Sequence, residues 1–156
     1  MVKNNVTRML ESQGIPFQAF ELPAEKLSAM EAAAFLGLDP ALVYKTIVAT
    51  RAATTKPVLA LVSAPREVDL KALARVLGEK KVHLASLKHA EQLTGLQTGG
   101  ISPLALLRLS LQVVLDDTAQ ALDEIYISGG QRGLNIRLPT DELIKLTNAK
   151  IAAISR

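Results

Sequence analysis

The stretch VYKTIVATRAATTKPVLALVS, residues 43–63, is the part of the sequence from which the fold is best read. VYKTIVA has the β-branched, aromatic and small apolar residues of a half-buried strand, and PVLALVS has the composition of a second, almost uniformly apolar strand. Residues 51–56 between them are typical of a hairpin loop. The stretch therefore predicts two neighbouring antiparallel strands inside a sheet.

Lys45 is the one residue that does not suit this strand. Side chains alternate along a strand, so Lys45 shares a face with the apolar Val43, Ile47 and Ala49. Strand lysines often cover apolar surface with the stem and keep the ammonium in water. The alternative is an ammonium that points into a cavity, where it binds a phosphate or polarises a carbonyl.

Several helices carry cap signals at their ends. Ser28 with Glu31 three residues later has the form of a capping box, and Asp69 is placed to cap another helix. The same two helices reach glycines, Gly37 and Gly78, at their C-terminal ends.

The order of these elements favours an α+β fold. Strands occur both in adjacent hairpins and separated by helices, which predicts a mixed, largely antiparallel sheet surrounded by helices. Seven or so short strands with little edge protection predict partial or full closure of that sheet, a barrel-like arrangement. A length of 156 residues without a clear linker predicts one domain over residues 1–156.

The composition excludes several classes of function. The chain has no cysteine, which rules out disulfides, thiolate catalysis and cysteine-ligated zinc. Aromatic residues make up only 3%, which argues against a base-stacking RNA surface, while a net charge of +3 is compatible with a nucleic-acid partner. No signal peptide and no membrane-length apolar run is present, so we expect a cytoplasmic protein without membrane contact.

The segment TGGISP, residues 98–103, is a second candidate for chemistry. Gly99 and Gly100 free the backbone, so that amide groups could converge on an anion or a carbonyl oxygen, and Pro103 stiffens the exit. A plain connecting loop is the alternative. The segment lacks the Gly-Lys-Ser/Thr ending of a phosphate-binding loop, and Ser102 lies outside a Gly-x-Ser-x-Gly motif.

The remaining polar residues give weaker signals. His83 and His89 lack the spacing of a zinc site, so we predict no metal and no cofactor. Arg132, Lys80 and Lys81 are candidate contacts to a polyanion such as tRNA, although each alone is more typical of a solvated basic surface.

Three segments together resemble a known family. VYKTIVA, then TGLQTGGISPL, then EIYISGGQRGLNI are similar, in order and spacing, to the signature segments of the YbaK/EbsC family. Members are Cys-tRNA(Pro) deacylases, related to the editing domain of bacterial prolyl-tRNA synthetases. Weaker similarity extends over nearly the whole chain.

The resemblance implies specific roles for the candidate residues. Lys45 occupies the position of the family's essential lysine, in the substrate cleft. The family's substrate-binding loop is matched by five residues here, Gly99, Gly100, Ile101, Ser102 and Pro103. Because Gly100 has no side chain, we expect the aminoacyl ester to come close to its backbone. Phe20 stands where members often carry a tyrosine, which implies a substrate contact without the hydroxyl.

The resemblance also implies the reaction. The expected activity is hydrolysis of the ester of mischarged Cys-tRNA(Pro), at the acceptor end of tRNA(Pro), with the cysteinyl thiol assisting its own release. Prolyl-tRNA synthetase is a possible partner, and a monomer is favoured. The alternatives are a deacylase for another small amino acid, such as alanine, and a non-catalytic module that binds tRNA or a synthetase.

Overall fold

The computed structural model describes residues 2–156 as a mixed α/β fold with two sheets. The helices are α1 (Asn5–Ser12), α2 (Ala29–Leu36), α3 (Leu70–Leu77), α4 (Leu87–Thr94) and α5 (Thr140–Thr147). The strands are β1 (Gln18–Glu21), β2 (Tyr44–Arg51), β3 (Thr54–Ser63), β4 (Val82–Leu84), β5 (Gln112–Asp116), β6 (Glu124–Ser128), β7 (Leu134–Pro139) and β8 (Lys150–Ala152). Short 3₁₀ helices cover Pro40–Leu42, Pro103–Leu109 and Asp117–Ala121. None of the helices within residues 2–156 has the length and apolar character needed to cross a membrane.

The strands form one sheet of five and one of three. The larger has the order β4-β2-β3-β5-β8, antiparallel around β2 and parallel from β3 to β8, and the smaller, β1-β7-β6, is antiparallel throughout. The predicted mixed, largely antiparallel arrangement with helices is therefore confirmed. A single bridge, between Val43 and Tyr126, links the two sheets within residues 2–156. Because the strands do not form one continuous hydrogen-bonded ring there, the predicted barrel-like closure is not confirmed.

β3 is buried on both of its faces. Leu59 and Leu61 belong to the core between the two sheets, whereas Ala60 and Val62 belong to a second core that includes Leu73 of α3. All five side chains are almost completely buried. Burial of one leucine contributes about 1.5–3 kcal/mol, so both cores hold the strand in its register.

The turn between β2 and β3 is shorter than the sequence predicts. The prediction of a loop over residues 51–56 is wrong, because β2 continues to Arg51 and β3 begins at Thr54. The pairing register shifts between Ala49 and Arg51, and Pro57 lies opposite this irregularity. Proline has no N–H to donate to a ladder and is tolerated at a bulge, which explains how the strand extends past it.

The predicted caps form as expected. The Glu31 N–H donates to Ser28 Oγ at 3.1 Å, and the Ser28 N–H donates to a Glu31 carboxylate oxygen at 3.0 Å. Asp69 accepts from the backbone N–H three residues later at 3.1 Å. Gly37 and Gly78 end their helices in the left-handed conformation, at φ of +68° and +70°.

Asp116, the last residue of β5, is fully buried and joins distant segments. Its carboxylate accepts from Ile154 N at 2.9 Å, from Ser155 Oγ at 2.8 Å and from Thr118 Oγ1 at 2.7 Å. Thr118 Oγ1 lies 2.8 Å from the Tyr44 hydroxyl, which extends the network to β2. Burial alone would raise the pKa of Asp116, but these hydrogen bonds outweigh burial and lower it. An ionised carboxylate therefore anchors the C-terminal segment to the core.

We predict that Asp116→Ala lowers the free energy of unfolding by about 3 kcal/mol, because buried donors lose their acceptor. The pKa of Asp116 is lower in the folded state, so its contribution is fully present above its unfolded pKa of about 3.9 and is lost as the pH falls through the folded value. Urea unfolding between about pH 3 and pH 7 should show this loss in the wild type and a weaker one in Asp116→Asn. The control is Asp123→Asn at an exposed carboxylate. Equal urea midpoints for Asp116→Ala and the control would contradict the prediction.

Candidate active site

A cavity of about 470 Å³, called the cleft below, opens beside β2. Parts of five segments far apart in the chain line it: residues 22–32 leading into α2, 43–48 at the start of β2, 84–90 from β4 to α4, 98–101 without Gly100, and 128–135 from the end of β6 to the start of β7. Both sheets and two helices thus contribute to one concave surface. Its volume lies in the range of small-ligand sites.

Lys45 lines the cleft from β2. Its Nζ donates to the carbonyl oxygen of Ala64 at 3.1 Å, and its side chain is partly buried. Burial lowers the pKa of Lys45, and the charge of Glu67 partly opposes that shift. Within residues 2–156 no carboxylate forms an ion pair with this ammonium. Because an ammonium has three donors, Lys45 keeps capacity for a ligand, as the cavity hypothesis requires.

The two glycines of the 98–103 loop have different surroundings. Gly99 lines the cleft and has a φ of +88°, a conformation that favours glycine. Gly100 is absent from the cleft lining, and a Cβ built on it would lie 2.8 Å from the backbone of Gln131. The missing side chain of Gly100 therefore allows a close approach to the β6–β7 connection. That it also makes room for an ester stays a prediction.

The rest of the loop turns away from the cleft after Ile101. Ile101 lines the cleft, but Ser102 is fully buried, and its Oγ accepts from Leu104 N at 3.2 Å as the cap of the 3₁₀ helix that follows. Pro103 begins that helix and lines a different cavity, of about 580 Å³, together with Lys56 and Leu146. The structure therefore separates the five residues that the resemblance groups together.

Phe20 lies beside the cleft rather than in its wall. Its ring centroid is 5.7 Å from that of Tyr126, and the Arg137 guanidinium lies 5.9 Å from its centroid. These contacts make Phe20 a packing residue of the small sheet, and its substrate contact stays a prediction.

The three basic candidates are in two places. Lys80 and Lys81 are exposed before β4, whose other end, at Leu84, reaches the cleft. At about 3.3 Å per strand residue, Lys81 is roughly 10 Å from that rim. The Arg132 Nε donates to the carbonyl oxygen of Thr98 at 2.8 Å, so its guanidinium already has a partner inside the protein.

Two polar residues of the cleft were missed by the sequence interpretation. Thr46 Oγ1 and Asn135 Oδ1 are both buried and have no hydrogen-bond partner within residues 2–156. A buried polar atom without a partner is uncommon, and these two line the cleft that holds Lys45. The only sequence signal was the position of Thr46 next to Lys45; Asn135 gave none.

The histidines are exposed, His83 on β4 and His89 on α4. The part of the chain that the structure describes contains no group of three histidine, aspartate or glutamate residues that could hold a metal ion.

Sequence comparison finds relatives along nearly the whole chain. It is 36% identical over 155 residues to a protein of Enterococcus faecalis named "Putative Cys-tRNA(Pro)/Cys-tRNA(Cys) deacylase EbsC", covering 98% of this chain and 93% of that protein. It is also 31% identical over 125 residues to a proline–tRNA ligase of Desulforamulus reducens. That match covers 80% of this chain and only 21% of the ligase.

Structural comparison agrees with these matches. A crystal structure described as "a putative trans-editing enzyme for prolyl tRNA synthetase" superposes with a TM-score of 0.83 at 27% identity, over 100% of this chain and 99% of that one. Residues 24–146 match the sequence profile of the aminoacyl-tRNA editing domain, and this range includes Lys45 and the 98–103 loop. The chain therefore belongs to the aminoacyl-tRNA editing domain family.

Proposed function

We propose that this protein is an aminoacyl-tRNA deacylase that hydrolyses the ester of mischarged Cys-tRNA(Pro). The name of the Enterococcus faecalis relative, which is similar over nearly the full length of both proteins, supports this substrate. The observation that carries the proposal is the cleft itself, in which the partly buried ammonium of Lys45 faces the same cavity as the Gly99 backbone.

Lys45 supplies a fixed positive charge at the cleft wall. The 3′ end of a tRNA brings phosphate groups beside the ester, and a partly desolvated ammonium attracts them more strongly than one in water. Burial lowers the pKa of Lys45 because it disfavours the charged form, and a bound anion offsets that free-energy cost. We propose that Lys45 holds the terminal nucleotide so that the ester lies against the loop.

The loop supplies donors for the ester carbonyl. Within residues 2–156 the backbone N–H groups of Gly99 and Ile101 have no acceptor, while the Gly100 N–H donates to Gln97 O at 2.8 Å. Free amide donors at a concave site can stabilise the negative charge that develops on a carbonyl oxygen during acyl transfer.

The nucleophile comes from the substrate. The chain has no cysteine, and the Ser102 hydroxyl is buried away from the cleft. The two serines that line the cleft, Ser28 and Ser128, accept hydrogen bonds from the backbone N–H groups of Glu31 and Gly130. We propose that the cysteinyl sulfur attacks the ester carbonyl carbon, the bond to the ribose oxygen breaks, and that oxygen takes up the thiol proton. Water then opens the cyclic thioester and releases cysteine.

Thr46 and Asn135 are suited to hold the amino acid. The aminoacyl ester carries an ammonium group with three donors, and the buried Thr46 Oγ1 and Asn135 Oδ1 in the same cleft are acceptors that have no partner among residues 2–156. A substrate that donates hydrogen bonds to these two oxygens binds with a more favourable free energy than one that leaves them buried and unpaired.

The wider setting of the protein is part of the same proposal. We propose that residues 1–156 act as one editing domain, monomeric and cytoplasmic, on the acceptor end of tRNA(Pro). The partial match to a proline–tRNA ligase supports association with prolyl-tRNA synthetase as the source of tRNA selectivity. Lys80 and Lys81, exposed near the rim, are the proposed contacts to the RNA backbone.

The decisive experiment follows ester loss from tRNA(Pro) charged with cysteine, alanine or proline. We expect fast loss of the cysteinyl ester and little loss of the other two. Preferential cleavage of Ala-tRNA(Pro) would point to the small-amino-acid alternative, and tRNA binding without cleavage to the non-catalytic module.

We predict that Lys45→Ala abolishes deacylation, with turnover reduced by at least about 100-fold, and changes stability little because a partly desolvated charge is removed. The matched control is Lys56→Ala. Lys56 is also a strand lysine whose Nζ donates to a backbone carbonyl, that of Leu109 at 3.3 Å, but it lies outside the cleft. Single-turnover deacylation and thermal melting are measured for both. Near wild-type turnover in Lys45→Ala, or its unfolding, would refute the assignment.

A further prediction separates Ser102 from the chemistry. Ser102→Ala should lose about 1 kcal/mol of stability, because the Ser102 hydroxyl caps the 3₁₀ helix, yet retain a substantial fraction of turnover. Ser-tRNA(Pro) should be cleaved far more slowly than Cys-tRNA(Pro), since a hydroxyl is much less acidic than a thiol. Time courses on both substrates test this. Comparable rates, or an aminoacyl–Ser102 adduct seen by mass spectrometry, would be the contrary result.

A further inference from the structure

Thr98, at the start of the glycine loop, is held from two directions. Its backbone N–H and its hydroxyl both donate to Oε2 of Glu91 on α4, at 2.8 Å and 3.2 Å. On the other side its carbonyl oxygen accepts from Arg132 Nε at 2.8 Å, and its hydroxyl lies 3.5 Å from Arg132 Nη2. The hydrogen bonds from Thr98, and the charge of Arg132, lower the pKa of Glu91, so the carboxylate that binds Thr98 is ionised near neutral pH.

The hydrogen bond from Arg132 to the Thr98 carbonyl also orients the next amide. In a trans peptide the C=O of one residue and the N–H of the next point in opposite directions within one plane. Arg132 binds the Thr98 oxygen, so the Gly99 N–H is directed away from Arg132. That N–H has no acceptor within residues 2–156, and Gly99 lines the cleft.

The loop and the Arg132 turn are also in close contact. The Gly100 backbone packs so tightly on residues 131 and 132 that a Cβ there would lie 2.8 Å from Gln131 and 2.9 Å from Arg132 N. This contact fixes where the loop lies on the Arg132 turn. The guanidinium, through the Thr98 carbonyl, sets the direction of the Gly99 N–H, while the packing at Gly100 sets its position.

We propose that Arg132 is a positioning residue, which holds the Thr98 carbonyl so that the Gly99 N–H is aimed at the ester carbonyl of the substrate. The proposal rests on the deacylase function proposed above. It assigns Arg132 a role different from the phosphate contact expected from its charge. The two roles differ in which kinetic parameter they control.

The test compares Arg132→Gln, Arg132→Lys and, as a matched control, Arg108→Gln. Arg108 is exposed and its side chain donates to Ala105 O, so this control removes one positive charge without touching the loop. Deacylation of Cys-tRNA(Pro) is followed at several salt concentrations to obtain kcat, KM and the salt dependence. Amide hydrogen exchange at Thr98 and Gly100, and melting temperature, are measured on the same proteins.

A positioning role predicts a fall in kcat on the order of 100-fold for Arg132→Gln, with KM and the salt dependence unchanged. Arg132→Lys should fall nearly as far, because lysine keeps the charge but loses the rigid planar donors. The Thr98 and Gly100 amides should exchange faster in both variants and as in the wild type in the control.

The contrary results are equally distinct. A preserved kcat with raised KM and a salt slope smaller by about one would make Arg132 a phosphate contact and overturn the proposal. Unchanged exchange at Thr98 and Gly100 would overturn the positioning role whatever the activity. If the wild type cleaves no aminoacyl ester, the proposed function fails, and the positioning role of Arg132 in catalysis fails with it.

Discussion

The structure depends on the burial of β3 on both of its faces. Leu59 and Leu61 fill one core and Ala60 and Val62 the other, so a slip of one residue would exchange the two sets. β2 pairs with β3 in a register that places Lys45 opposite Val62. The position of the cleft ammonium is therefore decided by apolar packing one strand away.

The same packing explains how a cation remains at a partly buried position. β2 cannot rotate Lys45 towards water without moving residues of both cores, so the ammonium donates to the Ala64 carbonyl oxygen and keeps a lowered pKa. Burial of a charge without a counterion costs free energy, and that cost is offset by the rest of the fold. The result is a cation at the cleft wall that water hydrates only in part.

The second wall of the cleft is held by one contact between backbones and by two side chains that bind backbone groups. Gly100 packs on Gln131, Arg132 binds the Thr98 carbonyl, and Glu91 binds the Thr98 N–H. Contacts of this kind leave little freedom to a loop, so its amides that have no acceptor within residues 2–156 have a fixed orientation. Preorganisation of this sort is what makes backbone donors effective in stabilising developing charge.

Local signals in the sequence determined the helix ends, the strand character of β2 and β3 and the mixed fold class, because caps, glycines and alternation act over a few residues. The likeness of its motifs to a known family was also visible in the sequence. The end of the β2–β3 turn was not, since a bulge beside Pro57 depends on pairing with β2. Only the tertiary structure separated Gly99 from Gly100 and Pro103, buried Ser102, and brought Thr46 and Asn135 to the cleft with no partner in the described part of the chain. Each of these depends on residues from distant parts of the chain meeting in space, and no local pattern encodes which of them will meet.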